Sequence, residues 1–209
     1  YTNAGTTSLT TGTLTLGGDF SSAGTYTPGT GTTRLHAGND QSLAGVVYYT
    51  MTSIKSGGTA TFAASSTVVN TLTTSIGGTL SASSFVVTVT GAATIGASTA
   101  VTSTSGTLNF TSAVTNAGSL GSTSGNTLFS STLTNSGTLD VGSGNATSTG
   151  HATSTGTING NAGTYTVLAD LSAGTFNGAA GTVRLKGGSA QRIGGTAGDT
   201  NMFNLTIDK

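Results

Sequence analysis

The chain has 209 residues, and Thr (47), Gly (34) and Ser (27) together make up just over half of it. Charge is sparse and balanced: three Lys, three Arg, six Asp and two His, with no Glu, no Cys, no Trp and a single Pro, Pro28. This composition leaves few parts for catalysis or metal binding, gives no basic footprint for nucleic acid, and lacks the charge, Pro and Glu of ordinary disordered segments.

Helix formers are scarce and Thr and Val are common, so the chain is β-prone. At the N-terminus glycines fall at Gly5, Gly12, Gly24 and Gly31, spaced 7, 12 and 7. Between them Thr13-Leu14-Thr15-Leu16 alternates with period 2, the mark of a strand. Residues 46–100 keep the composition but lose the rhythm. Val46-Val47-Tyr48-Tyr49 and Phe85-Val86-Val87-Thr88-Val89 read there as longer strands or as coils with insertions, and are too short to cross a membrane as helices. Beyond residue 100 the period is strict. One series runs Gly106, Gly125, Gly144, Gly163 and Gly181, with gaps of 19, 19, 19 and 18; a second runs Gly118, Gly137, Gly156 and Gly174. Two interleaved registers held over five units mark a repeat architecture.

The apolar residues fall into three sets against these glycines. Leu14, Leu108, Ala146, Tyr165 and Val183 come two residues after the first series; Phe20, Val114, Leu133, Ala152 and Leu171 come eight after. Tyr26, Leu120, Leu139, Ile158 and Phe176 come about fourteen after. A unit of three short strands cannot bury its apolar side chains alone, but stacked units can. The predicted fold is therefore an all-β parallel β-solenoid (β-helix), with about 19 residues and three short strands per coil. The general handedness of parallel crossovers makes it right-handed. About eleven coils at a rise of about 4.8 Å give a rod of roughly 50 Å.

The predicted core is Leu14, Phe20, Leu108, Val114, Leu120, Leu133, Leu139, Ile158, Tyr165, Leu171, Phe176, Val183 and Leu185. The glycines named above are the predicted coil corners, where a tight turn calls for positive φ. Asn116 and Asn135 share one corner in successive coils and read as left-handed turn residues in preference to a hydrogen-bonded Asn ladder.

A longer repeat overlies the short one. Residues 23–45 and 173–195 match with Arg34 on Arg184, Leu35 on Leu185 and Gln41 on Gln191. The match extends back to Gly5/Gly156 and Asp19/Asp170, and forward to Tyr49-Thr50-Met51-Thr52 against Phe203-Asn204-Leu205-Thr206, ending at Lys55/Lys209. Residues 1–55 thus resemble 152–209, with a long period of about 150 residues. We read residues 1–209 as a single solenoid segment, expected to be a window on a longer array.

The stretch Gly181-Thr-Val-Arg-Leu-Lys-Gly-Gly-Ser-Ala-Gln-Arg-Ile-Gly-Gly-Thr196, followed by Phe203-Asn-Leu-Thr-Ile207, is similar to repeats of large secreted bacterial surface proteins of adhesin-like type. The resemblance implies parallel β-helices with an extracellular structural or adhesive role and no defined ligand. The copy at 31–53 departs from it, with Thr33 in place of the apolar residue and Ser53 in place of the final Ile.

The chemistry-bearing residues are dispersed. The acids are Asp19, Asp40, Asp140, Asp170, Asp199 and Asp208. A solenoid lyase or hydrolase needs clustered carboxylates on one face, whereas Asp19 and Asp170 share a register about eight coils apart. No catalytic residue is assigned. His36 and His151 have no ligand-spaced His, Cys or Glu, so no zinc site is expected; the repeated Asp of calcium-binding β-rolls is missing, and Asp40 beside Asn39 reads as a turn. No metal or cofactor is expected. Arg34, Arg184, Gln41 and Gln191 offer either a repeated polar surface site or amides that satisfy a loop's backbone groups, and the second is preferred. Thr-x-Thr pairs such as Thr13/Thr15, Thr71/Thr73 and Thr132/Thr134 raise ice binding, but the register after each glycine changes from coil to coil. Asn109, Asn145 and Asn204 fit the glycosylation pattern at the rate a Thr-rich chain produces by chance.

The expectation is a non-enzymatic, extracellular or cell-surface rod or filament segment, joined by end-to-end self-association or by continuation of the array. Cell-surface or matrix glycans are candidate partners; nucleic acid and membrane insertion are not. The alternative is a module that binds ice or a glycan on a Thr-rich face.

Overall fold

The computed structural model describes residues 1–195 and 200–209; Thr196 and Asp199, which figure above, lie outside the described residues. The chain winds into a parallel β-solenoid of about 11 turns spaced ~19 residues, with no helix among the described residues. Period-2 alternation of Thr/Ser with apolar residues makes every segment a strand, and Gly-containing corners end each after a few residues. Each coil contributes to three faces, and all strand pairings are parallel.

The first face stacks Val86–Val89, Thr107–Phe110, Asn126–Phe129, Asn145–Ser148, Thr164–Val167, Thr182–Lys186 and Asn204–Asp208. The second runs from Thr13–Leu16 and Thr32–Leu35 through Ala92–Ile95, Val114–Asn116, Leu133–Asn135, Ala152–Ser154 and Leu171–Ala173 to Ile193–Gly195. The third runs from Gln41–Leu43 and Thr59–Phe62 through Ser119–Ser122, Thr138–Asp140 and Thr157–Asn159 to Thr175–Asn177 and Thr200–Asn201. Two long strands, Val47–Ser53 and Ser66–Thr74, bend across the corner between the first and second faces.

Inward columns fill the interior. Ala60, Leu80, Val101, Leu120, Leu139, Ile158 and Phe176 stack on the third face and are all buried. Leu108, Tyr165, Val183 and Leu185 point in from the first face, Val114, Leu133 and Leu171 from the second, and all are buried. Phe110 and Phe129, adjacent in one column, stack with centroids 5.6 Å apart. Apolar burial of this kind, roughly 25 cal/mol per Å², is the main favourable term.

The N-terminal coils depart from the sequence reading. Leu14 is half-buried and shares a column with Thr33, Met51, Leu72, Ala93 and Val114, not with Leu108. Phe20 is buried against Leu43 on the third face, not in the column of Val114, and Tyr26 lies beside Tyr48, not under Leu120. The register is displaced by one face. The cause is coil length: Thr50 to Thr71, Thr71 to Ala92 and Val86 to Thr107 are each 21 residues apart, against 19 for Thr107 to Asn126. The interval from Gly31 to Gly106, which looks like four 19-residue coils, spans three and two-thirds longer ones. All three faces carry the same alternation, so nothing local marks which face a strand occupies.

The corner glycines are also explained differently. None of the predicted corner glycines has a left-handed φ. They are required by close approach along the axis: a Cβ on Gly125 would sit 1.9 Å from the Gly106 carbonyl oxygen, and one on Gly144 1.9 Å from that of Gly125. Gly5 and Gly12, in the first coil, have no such neighbour.

Asn116 and Asn135 are strand residues pointing inward, buried, and not left-handed. Asn116 Nδ2 donates to Asn135 Oδ1 at 2.7 Å, and Asn135 Nδ2 donates to Ser154 Oγ at 2.9 Å. The ladder forms because each amide also reaches a backbone carbonyl, of Thr138 and of Thr157 respectively, so no buried polar group on it is stranded.

Candidate functional site

Polar side chains gather at places the sequence spacing does not make obvious. The most constructed are two matched staples. Gln41 Nε2 donates to the carbonyls of Leu16 (3.1 Å) and Gly18 (2.9 Å) in the coil below, and Lys55 Nζ donates to Gln41 Oε1 (2.8 Å) and the Asn39 carbonyl (2.7 Å). In the second copy Gln191 Nε2 donates to the carbonyls of Val167 and Ala169, both at 2.9 Å, and Lys209 Nζ bonds Gln191 Oε1 and the Ser189 carbonyl. Asp19 Oδ1 accepts the Ser42 amide at 2.7 Å just as Asp170 Oδ1 accepts that of Arg192 at 2.8 Å. Gln and Lys thus satisfy loops that leave the coil. Lys55 is fully buried and burial lowers its pKa, with the nearby Asp40 pulling the other way.

The matched strands sit on adjacent faces. Thr13–Leu16 and Thr32–Leu35 belong to the second face, while their counterparts Thr164–Val167 and Thr182–Lys186 belong to the first. The staple recurs with the same bonds but is turned by one face around the axis.

The carboxylates serve local structure. Asp40 Oδ1 accepts the Thr59 amide at 2.8 Å, Asp140 Oδ1 accepts Asn159 Nδ2 at 2.7 Å, and Asp208 pairs with Arg184, whose hydrogen bond and charge hold its carboxyl below the usual range. Arg34, the counterpart of Arg184, is an exposed outward residue. Among the described residues no three His, Cys, Asp or Glu side chains come together as a metal-holding group, and no helix is long and apolar enough to cross a membrane.

Two surface arrangements escaped the sequence reading. His151 Nδ1 lies 3.5 Å from Asp170 Oδ2; the two are 19 residues apart, one coil period, which is the signal that finds them. On the second face Thr52, Thr73, Thr94, Thr115, Thr134 and Thr153 form one unbroken outward column through six coils. The changing register noted above describes the first face, where the outward partners of Thr88 are Asn109, Leu128 and Thr147. The column flanking the six threonines begins Thr50, Thr71, Ala92 and so lacks continuous hydroxyls.

Compared with family models, with curated proteins and with solved structures, the chain has no match.

Proposed function

We propose that this chain is a non-enzymatic structural rod, a segment of an extracellular surface or filament protein whose coils are joined end to end with further β-coils. The observation that carries this reading is the pair of matched junctions. In the first copy Met51 and Ser53 lie beneath residues 71–74 and are buried, and Lys55 is sealed in. In the second copy Asn204–Asp208 presents Leu205 at 49% and Ile207 at 65% exposure, with Phe203 at 65% beside them. Leu205 and Ile207 extend the inward columns of Val183 and Leu185. Residues that continue a core column while facing water favour a covering strand. Low charge and the lack of Cys suit a protein that works outside the cell without disulfides, and the resemblance to secreted bacterial repeats agrees.

Sedimentation of the wild type beside a Leu205→Lys/Ile207→Lys variant tests this. The wild type should associate end to end and the variant should not; equal association by both would refute the assignment of the end face. A second reading, binding of ice or glycan, is favoured by the six-threonine column, and a thermal-hysteresis measurement discriminates it. Ala92 in the flanking column weighs against a two-column hydroxyl lattice.

A further inference from the structure

The first copy of the long repeat shows which coil covers positions that are bare in the second. In the first copy Leu43, Met51, Ser53 and Lys55 are all buried. Residues 59–74 lie over them: Phe62 pairs with Leu43, Leu72 with Met51 and Thr74 with Ser53. The counterparts in the second copy are Ile193, Leu205, Ile207 and Lys209, and every one of them is exposed.

The two sets match in place as well as in order. Leu205 and Ile207 extend the inward columns of Val183 and Leu185 on the first face, as Met51 and Ser53 extend those of Thr33 and Leu35 on the second. Ile193 follows Leu171 in its column, as Leu43 follows Phe20. The Gln–Lys staple beside them is bonded alike in both copies. The same surface is therefore present twice, once covered and once bare, with the bare one turned by one face. One residue differs in kind. Ser53 sits under Thr74, whose hydroxyl is bonded to Thr99 Oγ1 at 2.6 Å, so the first copy keeps hydroxyls in this column. Ile207 stands where Ser53 would and offers no partner to a hydroxyl above it, so an apolar residue fits there better.

We infer that Ile193, Leu205 and Ile207 form a docking face for a β-coil with the chemistry of residues 59–74, seated parallel and in the same register. A Phe in the place of Phe62 lies on Ile193, a Leu in the place of Leu72 lies on Leu205, and an apolar residue in the place of Thr74 lies on Ile207. Within the rod reading, on which this identity rests, main-chain bonds to the edge of Asn204–Asp208 that is unpaired among the described residues supply the affinity, and the three apolar side chains set the register.

The chain has no Cys, so one engineered thiol reports what docks. In the first copy Thr73 lies beside Thr52, whose counterpart is Thr206. Neighbours on paired strands are about 4.8 Å apart, within reach of a disulfide. The test is disulfide exchange in glutathione between the chain carrying Thr206→Cys and two synthetic peptides of residues 56–77, both with Thr74→Val. One peptide carries Thr73→Cys; the other carries Thr67→Cys, six residues earlier and out of reach. The Thr73→Cys peptide should be trapped about tenfold or more over the other. Leu205→Lys/Ile207→Lys in the chain should erase that preference. Both sets of substitutions change exposed side chains only, and circular dichroism melts check that the fold is kept. Equal trapping of the two peptides, or a preference that survives the Lys substitutions, would overturn the inference, and sedimentation showing end-to-end association would then leave the rod reading standing. Preferential trapping by a chain that stays monomeric would uphold the docking face and overturn self-association of the ends instead.

Discussion

Thr127 illustrates what a single position in a column decides. It points inward between Leu108 and Ala146, is buried, and its hydroxyl has no partner. Val has nearly the same shape and no group to satisfy. Thr127→Val should therefore raise stability by about 1 kcal/mol in chemical denaturation; a loss of similar size would mean that the hydroxyl has a partner after all. Leu139 is the opposite case, with no exposure and neighbours Leu120 and Ile158 in its column. Leu139→Asp places an unpaired charge in a dry interior and should cost about 4 kcal/mol or more. Thr138→Asp, one residue earlier and half-exposed on the outer side, should cost less than about 1 kcal/mol. Similar losses in the two variants would contradict the inward and outward assignments. These alternations are legible in the sequence, because period 2 is a property of the strand itself. The partner of each residue is not, as Leu14 shows: its neighbour depends on the lengths of every coil between.

At the scale of the element, buried polar bonds pin loops and strands. The Lys55–Gln41 staple holds a departing loop, and burial keeps the Lys55 pKa below its ordinary 10.5. The unfolded chain then holds that proton to higher pH than the folded one. Stability is fully gained only above the unfolded value and is lost as pH falls through the folded one. Tyr165, raised by burial to about 12, and Tyr48, raised further, act in the opposite sense above their ordinary 10.0, where the folded state resists forming phenolate. Thermal melts should therefore carry a rising contribution from Lys55 as pH climbs toward 10.5 and a falling one from the tyrosines beyond 10.0, and in Lys55→Met the rise should vanish while the fall persists. A rise unchanged in Lys55→Met would assign it to another group. The pairing of Gln41 with Gln191 and Lys55 with Lys209 is visible in the sequence. So is the amides' role in satisfying backbone groups, but which carbonyls they reach and the bond from Lys are not, because both span loops whose path has no periodic signal. The Asn ladder was hidden for a different reason: Asn is a common turn residue, and only the stacking of Val114–Asn116 on Leu133–Asn135 turns both amides inward.

For the whole molecule, the 19-residue period in residues 101–185 discloses the solenoid, its strand count and its outward threonines. The 21-residue coils of the middle section hide a third of a turn, and with it the placement of the N-terminal strands and the six-threonine column. That third of a turn has a consequence for a rod built of such units. Matched staples turn to the neighbouring face from one long copy to the next, so a feature carried once per copy would wind around the rod rather than line one side. On the proposed reading the rod is a unit of end-to-end assembly, and the exposed Leu205 and Ile207 make that testable. The direct measurement is the solution mass of the isolated chain across a dilution series, read with hydrogen exchange of the first and last coils. Elongated particles are expected whose mass grows with concentration in steps of one chain, with protection of the terminal strands rising in parallel. A monomer at every concentration, with its terminal coils already protected, would contradict it.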